Sequence, residues 1–448
     1  MYSERLKSEL SKSRAEVGDL LRITKPRVIY EGVLMPKTIL SSPSALTLKL
    51  ASGYNVSIEY EEDMRIKVLS KGKPVEFVPA ESLPEKDPTK PSVVILGSGG
   101  TIGSRVEYLL GSVYPAFSPQ DLVLAVPELK QLANIEGRKI FDLFSNDVTV
   151  EHWKILCQEV QKEVRNGVDG VILTHGTDTM CYTAAALSFM LRNLPAPVVM
   201  VGSQRSSDRG SSDNYVNLMC SVLTACNSDI AEVTICMHGT EGDEFCYVHQ
   251  ATKCRKMHAS RRDAFRSINT LPFAKVWYRE RSIEYLRDDY HKRGQGEFHL
   301  DTKMNPNVLM LYEHPNLRPE IINRLANEID GLVMVATGLG HVHTNHFNDP
   351  LGVSILAALE NLIKSGIPVV FAPQTLYGRL NLNVYASGRK LRTIGVIGDG
   401  ADWLPETAYI KLMWVLGHTK DMDEITEMMM TNLAGEISDR TINEAYLA

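Results

Sequence analysis

Two glycine-rich turns, each entered from a short apolar run, restrict this chain to few architectures. The first is Gly97-Ser-Gly-Gly-Thr-Ile-Gly-Ser104, behind Val93-Val-Ile-Leu96. The second is Thr174-His-Gly-Thr-Asp-Thr179, behind Val171-Ile-Leu173. Unbroken runs of branched apolar residues predict strands buried on both faces, as in parallel sheets. The turns then fall at the carboxyl ends of strands, where open α/β sheets hold ligands. Glycine lets backbone N–H groups approach a substrate closely, and the threonines place nucleophile-type oxygens beside them.

The rest of the chain fits an α/β body with an extra piece in front. A chain of 448 residues is too long for one core. Residues 79–91 carry four prolines and five charges and read as a linker. Ahead of it, residues 1–78 hold short strand patterns over 30–35, 46–50, 55–59 and 65–69, with no convincing helix. They predict a small β-barrel. The barrel reads as a docking module, because no stripe of interleaved aromatic and basic residues suggests RNA binding. Behind the linker, strand and helix patterns alternate. Val150, Trp153, Leu156, Cys157, Val160 and Val164 keep helical spacing up to Asn166-Gly167. Residues 198–201 and 233–237 are further buried strands. The charged, aromatic stretch 271–300 reads as a connection, closing one α/β domain over 92–300. A second domain spans 301–448, with strands at 308–311, 332–336 and 368–372 and helices at 352–363 and 405–416. Two domains with parallel sheets are expected.

Composition excludes several classes. A net charge of −6 gives the chain no overall footprint for nucleic acid. The charged start has no apolar core of a secretory signal, and no apolar run approaches the roughly 20 residues of a membrane span. Seven cysteines without a C-x-x-C pair read as reduced core thiols of a cytoplasmic protein, not as a zinc or disulfide set.

The first turn is not a nucleotide loop. Counting from Gly97, Ile102 occupies the third glycine of a dinucleotide fingerprint, and no G-K-[ST] is present. What remains is Thr101 in one turn and Thr177-Asp178 in the other. A threonine hydroxyl attacks only when a base takes its proton, and a lysine desolvated beside a carboxylate can be that base. Lys256 and Lys253 are the candidates, both in the basic run 251–265, where a lysine is otherwise a solvated surface charge. His341, His343 and His346 have ligand-like spacing, but they follow a strand-closing turn, with Asp349 the one acidic residue close by in sequence, and read as loop residues with no metal.

The Gly-Gly-Thr-Ile turn followed by Thr-His-Gly-Thr-Asp-Thr resembles the double signature of the type I/II, bacterial-type L-asparaginases, from about residue 91 to the C-terminus. The resemblance implies an asparaginase-like fold with Thr101 as the acyl-forming nucleophile. Thr177, Asp178 and Lys256 would handle protons, Lys256 being matched by its nine-residue spacing before Phe265. Tyr114 would lie over the nucleophile and Ser145 would hold the substrate's α-carboxylate and amine, with Gly100 and Gly176 as further substrate-binding positions. Ser98 departs from the family's usual threonine, at a position that shapes the turn. Barrel, linker and body together, with Val17-Gly-Asp-Leu-Leu-Arg-Ile23 and Tyr30-Glu-Gly-Val-Leu-Met35, resemble the GatD family of archaeal glutamyl-tRNA(Gln) amidotransferase subunits. That resemblance implies a homodimeric, cytoplasmic glutaminase with no cofactor of its own. It would pass ammonia to a GatE-like amidotransferase subunit, which holds the tRNA and uses ATP and Mg. Glutamine or asparagine would be the amide donor; the two differ by one methylene, worth about 1–3 kcal/mol in a pocket. The alternatives are a stand-alone cytosolic L-asparaginase, which leaves the first 90 residues without a task, and a non-catalytic scaffold, which leaves the threonine–aspartate–lysine set without one.

Overall fold

The branched apolar runs do form a buried sheet. In the computed structural model, which describes residues 2–35, 37, 42–50, 55–72, 86–100, 102, 104–107, 112–115, 126, 128–206 and 211–446 (backbone alone at 55, 104–107 and 112–115), eight strands make the central layer. Five are parallel: Asn134–Leu143, Ser92–Gly99, Gly170–Thr174, Val198–Val201 and Val233–His238, in that spatial order. Their inward residues, among them Val93, Ile95, Ile172 and Val199 on one face and Leu96, Leu173 and Met200 on the other, are buried under helices. Helix Val150–Arg165 starts at Thr149, which exchanges capping hydrogen bonds with His152, and ends before Gly167 at φ +78°.

The parallel set continues antiparallel. Phe245–Gln250, Ala274–Trp277 and Ser282–Tyr285 extend the sheet beyond Val233–His238, so the sheet is mixed. The stretch 271–300 is therefore not a plain connection. Phe273, Ala274 and Val276 are fully buried, and the outer strand Ser282–Tyr285 is largely exposed. A second sheet of three parallel strands, Val308–Tyr312, Gly331–Ala336 and Val369–Pro373, lies in the C-terminal part. Helix Pro405–Leu416 packs against it, opened by Pro405 as its pattern predicts.

The N-terminal piece is a five-stranded antiparallel sheet built from Leu20–Lys25, Val28–Leu34, Ala45–Leu50, Asn55–Glu59 and Arg65–Ser70. The last two are its edge strands, and it is in this antiparallel sheet that the expected small barrel is seen. Helix Glu4–Lys12 corrects the expectation of an all-strand piece. Ser3 caps it, and Leu6 and Leu10 bury into the core beside Leu21, Ile23 and Leu48. Its isolated apolar positions sit among charges, so its polar face masked the signal. Most of the linker over residues 79–91 lies outside the described residues. Among the described residues no helix is long and apolar enough to cross a membrane, and all seven cysteines are free thiols.

Candidate active site

The two turns meet because of two glycines. A Cβ on Gly100, at φ +86°, would stand 2.4 Å from the Gly176 nitrogen; one on Gly176 would stand 2.8 Å from the Ser145 hydroxyl oxygen. Only glycine permits such contact. Ser98 ties the first turn to the second strand, its hydroxyl donating to the Thr174 carbonyl at 2.7 Å. Serine thus does there the work expected of the family's threonine. Gly202, just past the strand Val198–Val201, stands so close to His175 and Thr177 that a Cβ there would meet both. Thr101, next in sequence to Gly100, lies outside the described residues, as does the side chain of Tyr114 in the strand Ser112–Pro115.

Three of the expected side chains converge. Lys256 Nζ donates to Thr177 Oγ1 at 2.9 Å and to Asp178 Oδ1 at 2.8 Å. Thr177 is buried and the Lys256 side chain is 13% exposed, while the Asp178 side chain stands 67% exposed at the mouth. The group therefore opens to solvent at its carboxylate. Helix Met180–Met190 begins beside Asp178, and its positive end favours an anion there. Ser145 is buried in a short helical turn, its carbonyl accepting from Thr179 Oγ1 at 2.6 Å. Thr177, Asp178, Lys256, Ser145, Gly100 and Gly176 thus share one neighbourhood at the carboxyl ends of the sheet.

Lys256 reaches this place on a hairpin. It pairs with Phe265 across the strands Cys254–Lys256 and Phe265–Ser267. Lys253 goes elsewhere: it is fully buried and bonded to Asp402 Oδ1 at 2.9 Å. The basic run is also neutralised from within. Arg255 pairs with Glu406, Arg261 and Arg266 with Asp263, and Arg262 with Asp243. The two guanidiniums hold the Asp263 carboxyl down to about 2, against the burial that would raise it. These arginines order the loop that carries Lys256.

His175 is the residue whose part the sequence did not disclose. Trp153 Nε1 donates to Thr183 Oγ1, which lies 3.0 Å from His175 Nε2, and His175 Nδ1 lies 2.7 Å from the Gly176 carbonyl oxygen. With the proton on Nδ1, every group in this chain is satisfied, so a neutral imidazole fixes the second turn. Burial pulls its pKa from the ordinary value down to about 4. The folded state therefore refuses a proton that the unfolded chain accepts. The stability His175 contributes is whole above about pH 6.5 and is lost as pH falls through about 4, about 3 kcal/mol in all. Denaturant unfolding between pH 7 and 4 should show His175→Gln losing about 3 kcal/mol less than the parent; equal losses would contradict this.

The histidines of the later loop do not assemble. His343 Nδ1 meets Glu313 Oε1 and its Nε2 meets the Leu317 carbonyl oxygen at 2.8 Å. His341 sets its ring edge-on against Tyr385. Among the described residues no group of three His, Cys, Asp or Glu is placed to hold a metal ion.

A threonine, a lysine and an aspartate in one hydrogen-bonded group can move protons to and from a neighbouring hydroxyl. Known proteins share both this architecture and its accessory piece. The family model "Asparaginase, N-terminal" matches residues 92–290, "Glutaminase/Asparaginase C-terminal domain" matches 307–429, and "GatD N-terminal domain" matches 15–69. Among solved structures, the thermostable L-asparaginase of Thermococcus kodakarensis aligns at TM-score 0.68 and 31% identity, over 78% of this chain and 100% of that one. A probable cytoplasmic L-asparaginase of Campylobacter jejuni aligns at TM-score 0.62 and 26% identity, over 77% and 100%. Relatives named as the GatD-type subunit of glutamyl-tRNA(Gln) amidotransferase match almost end to end. The one from Pyrococcus abyssi is 48% identical over 98% of both chains, and the one from Methanosphaera stadtmanae 44% identical over 99% of both. With an asparaginase-like body, the matching N-terminal piece and these relatives, the chain belongs to the GatD family of glutamyl-tRNA(Gln) amidotransferase subunits.

Proposed function

We propose that this chain is the glutaminase component of a tRNA-dependent amidotransferase, releasing ammonia that a partner subunit uses to convert Glu-tRNA(Gln) to Gln-tRNA(Gln). The observation that carries the reading is the Lys256 amine bonded to both Thr177 and Asp178 beside a glycine turn that leads into Thr101. Thr101 attacks the side-chain amide carbon of glutamine. Its proton passes by way of Thr177 and Lys256 to the leaving nitrogen, so ammonia departs and an ester remains on Thr101. Water then hydrolyses that ester, freeing glutamate and restoring the hydroxyl. Backbone N–H groups of the turns stabilise the oxyanion, each donor worth about 3 kcal/mol. Ser145 and Gly176 hold the substrate's charged end, and Tyr114 covers the nucleophile.

The N-terminal piece supports a partnered enzyme over a free asparaginase, since the aligned asparaginases match over their whole length while leaving about a fifth of this chain uncovered. The proposed partner is a GatE-like subunit that binds the tRNA and uses ATP and Mg, in the cytoplasm where aminoacylated tRNA is made. A second copy of this chain completes the assembly. Phe347 and Leu351 are 91% and 92% exposed in the loop after Gly340, apolar surface suited to such a contact; the light-scattering mass of the purified chain tests it.

The function is tested by following ammonia from glutamine and from asparagine, with and without the partner subunit and Glu-tRNA(Gln). Release should rise when both are added. Thr101→Ala should abolish glutamine-dependent product yet spare product made with free ammonium. Vigorous release by the chain alone, indifferent to partner and tRNA, would contradict the proposal.

A further inference from the structure

A second polar cavity lies at the other end of the sheet. It encloses about 520 Å³ between the start of the strand Val233–His238 and the C-terminal segment 432–442. That size is within the range of small-molecule sites. The strand is six residues long, so about 17 Å of sheet separates the cavity from the carboxyl ends where Thr177 and Lys256 meet.

Its lining is unusual for a structural void. Arg192 is half-buried, and its side chain makes no hydrogen bond or ion pair among the described residues. Burial disfavours its charge, while the Glu436 and Glu232 carboxylates favour it through space without touching it, so its donors are left for a ligand. Arg440, exposed at the rim, likewise has no side-chain partner there. Arg287, by contrast, is engaged by Asp289, Gln250 and Thr270 and serves as fixed wall. His291 also lines the space, and its buried Nε2 finds no partner. Glu232 accepts from the His291 backbone N–H at 2.7 Å, and burial lifts its pKa to about 7.

The far wall is built in, not draped. Gln250 Nε2 donates to the Gly435 carbonyl at 2.9 Å and Thr252 Oγ1 to the Ala434 carbonyl at 2.9 Å. The Ser438 N–H donates to Asp402 Oδ1, itself paired with buried Lys253. A rigid polar chamber with a spare guanidinium is what an oxyanion needs, since guanidinium matches carboxylate and phosphate through paired hydrogen bonds.

We propose that this chamber is a binding site for a small metabolite bearing a carboxylate or phosphate group, held by Arg192 with Arg440 at its mouth. Titration calorimetry on the full chain, using L-glutamate and inorganic phosphate as probes, tests it and tells the two anion types apart. Because glutamate is also the product of the proposed reaction, both probes are repeated on Lys256→Met, where this site must keep its binding. Saturable binding of either probe is expected. Arg192→Gln should weaken it about tenfold or more, the scale of a charge-assisted hydrogen bond, and Arg192→Lys should weaken it less. Arg440→Gln, at an exposed position, gives a smaller loss without risk to folding. Absence of binding below about 10 mM, or affinity unchanged in both Arg192→Gln and Arg440→Gln, overturns the proposal.

Discussion

Lys256→Met should lower glutamine-dependent ammonia release by about 10²–10⁴-fold, the range for loss of a positioned proton-transfer group, while the fold melts close to the parent temperature. The amine makes two side-chain hydrogen bonds, to Thr177 and Asp178, and its loss removes the one group that links that threonine to that carboxylate. Methionine has a stem of similar length and leaves the backbone pairing with Phe265 in place. Lys256→Arg should fail as well, because a guanidinium is always charged and cannot take a proton. Lys253→Met gives the opposite pattern. It strips the counter-ion from buried Asp402, so the loss should appear in stability before it appears in turnover. If Lys256→Met kept parental kcat, the proton-handling role would be wrong.

Glu436→Gln should destabilise the protein by about 3–5 kcal/mol, the cost of leaving a buried charge without its partner. Lys411 and Glu436 are both fully buried and paired. Lys411 Nζ also donates to the carbonyls of Met429 and Thr431, both at 2.6 Å, and the Glu436 carboxylate accepts from the Leu433 and Ala434 N–H groups. The pair therefore fastens the C-terminal segment onto helix Pro405–Leu416. Burial lowers the Lys411 pKa while Glu436 opposes that, so removal of the carboxylate leaves only neutralisation or expulsion of the amine. Chemical unfolding measures the loss. Replacing both partners with apolar residues, Lys411→Met with Glu436→Leu, should recover part of it; a Glu436→Gln protein as stable as the parent would contradict the account.

The strands of the parallel set were legible because burial on both faces leaves unbroken apolar runs such as Val93 to Leu96 and Val198 to Val201. The strand Ala274–Trp277 was not, because only one of its neighbours is an inner strand and the charged run Arg279-Glu280-Arg281 follows it closely. Helix Glu4–Lys12 was hidden by having just two buried residues, Leu6 and Leu10. The site shows the same division. The glycine turns carry their geometry in sequence, since Gly100 and Gly176 admit no side chain. Composition alone left Lys256 and Lys253 as rivals, three residues apart in one basic run. What separates them is the local structure: Lys253 ends the short helical turn Ala251–Lys253 and enters the core with Asp402, whereas Lys256 ends the strand Cys254–Lys256 and reaches Thr177. The pairing of Arg262 with Asp243, 19 positions away, and of Arg255 with Glu406, 151 positions away, is invisible to local reading.

Acid quenching of the working complex during glutamine turnover, followed by peptide mass analysis, tests the central claim most directly. A glutamine-derived acyl ester should appear on the peptide containing Thr101 and vanish in Thr101→Ala. Acylation at another residue, or full ammonia release by Thr101→Ala with no ester anywhere, would contradict it.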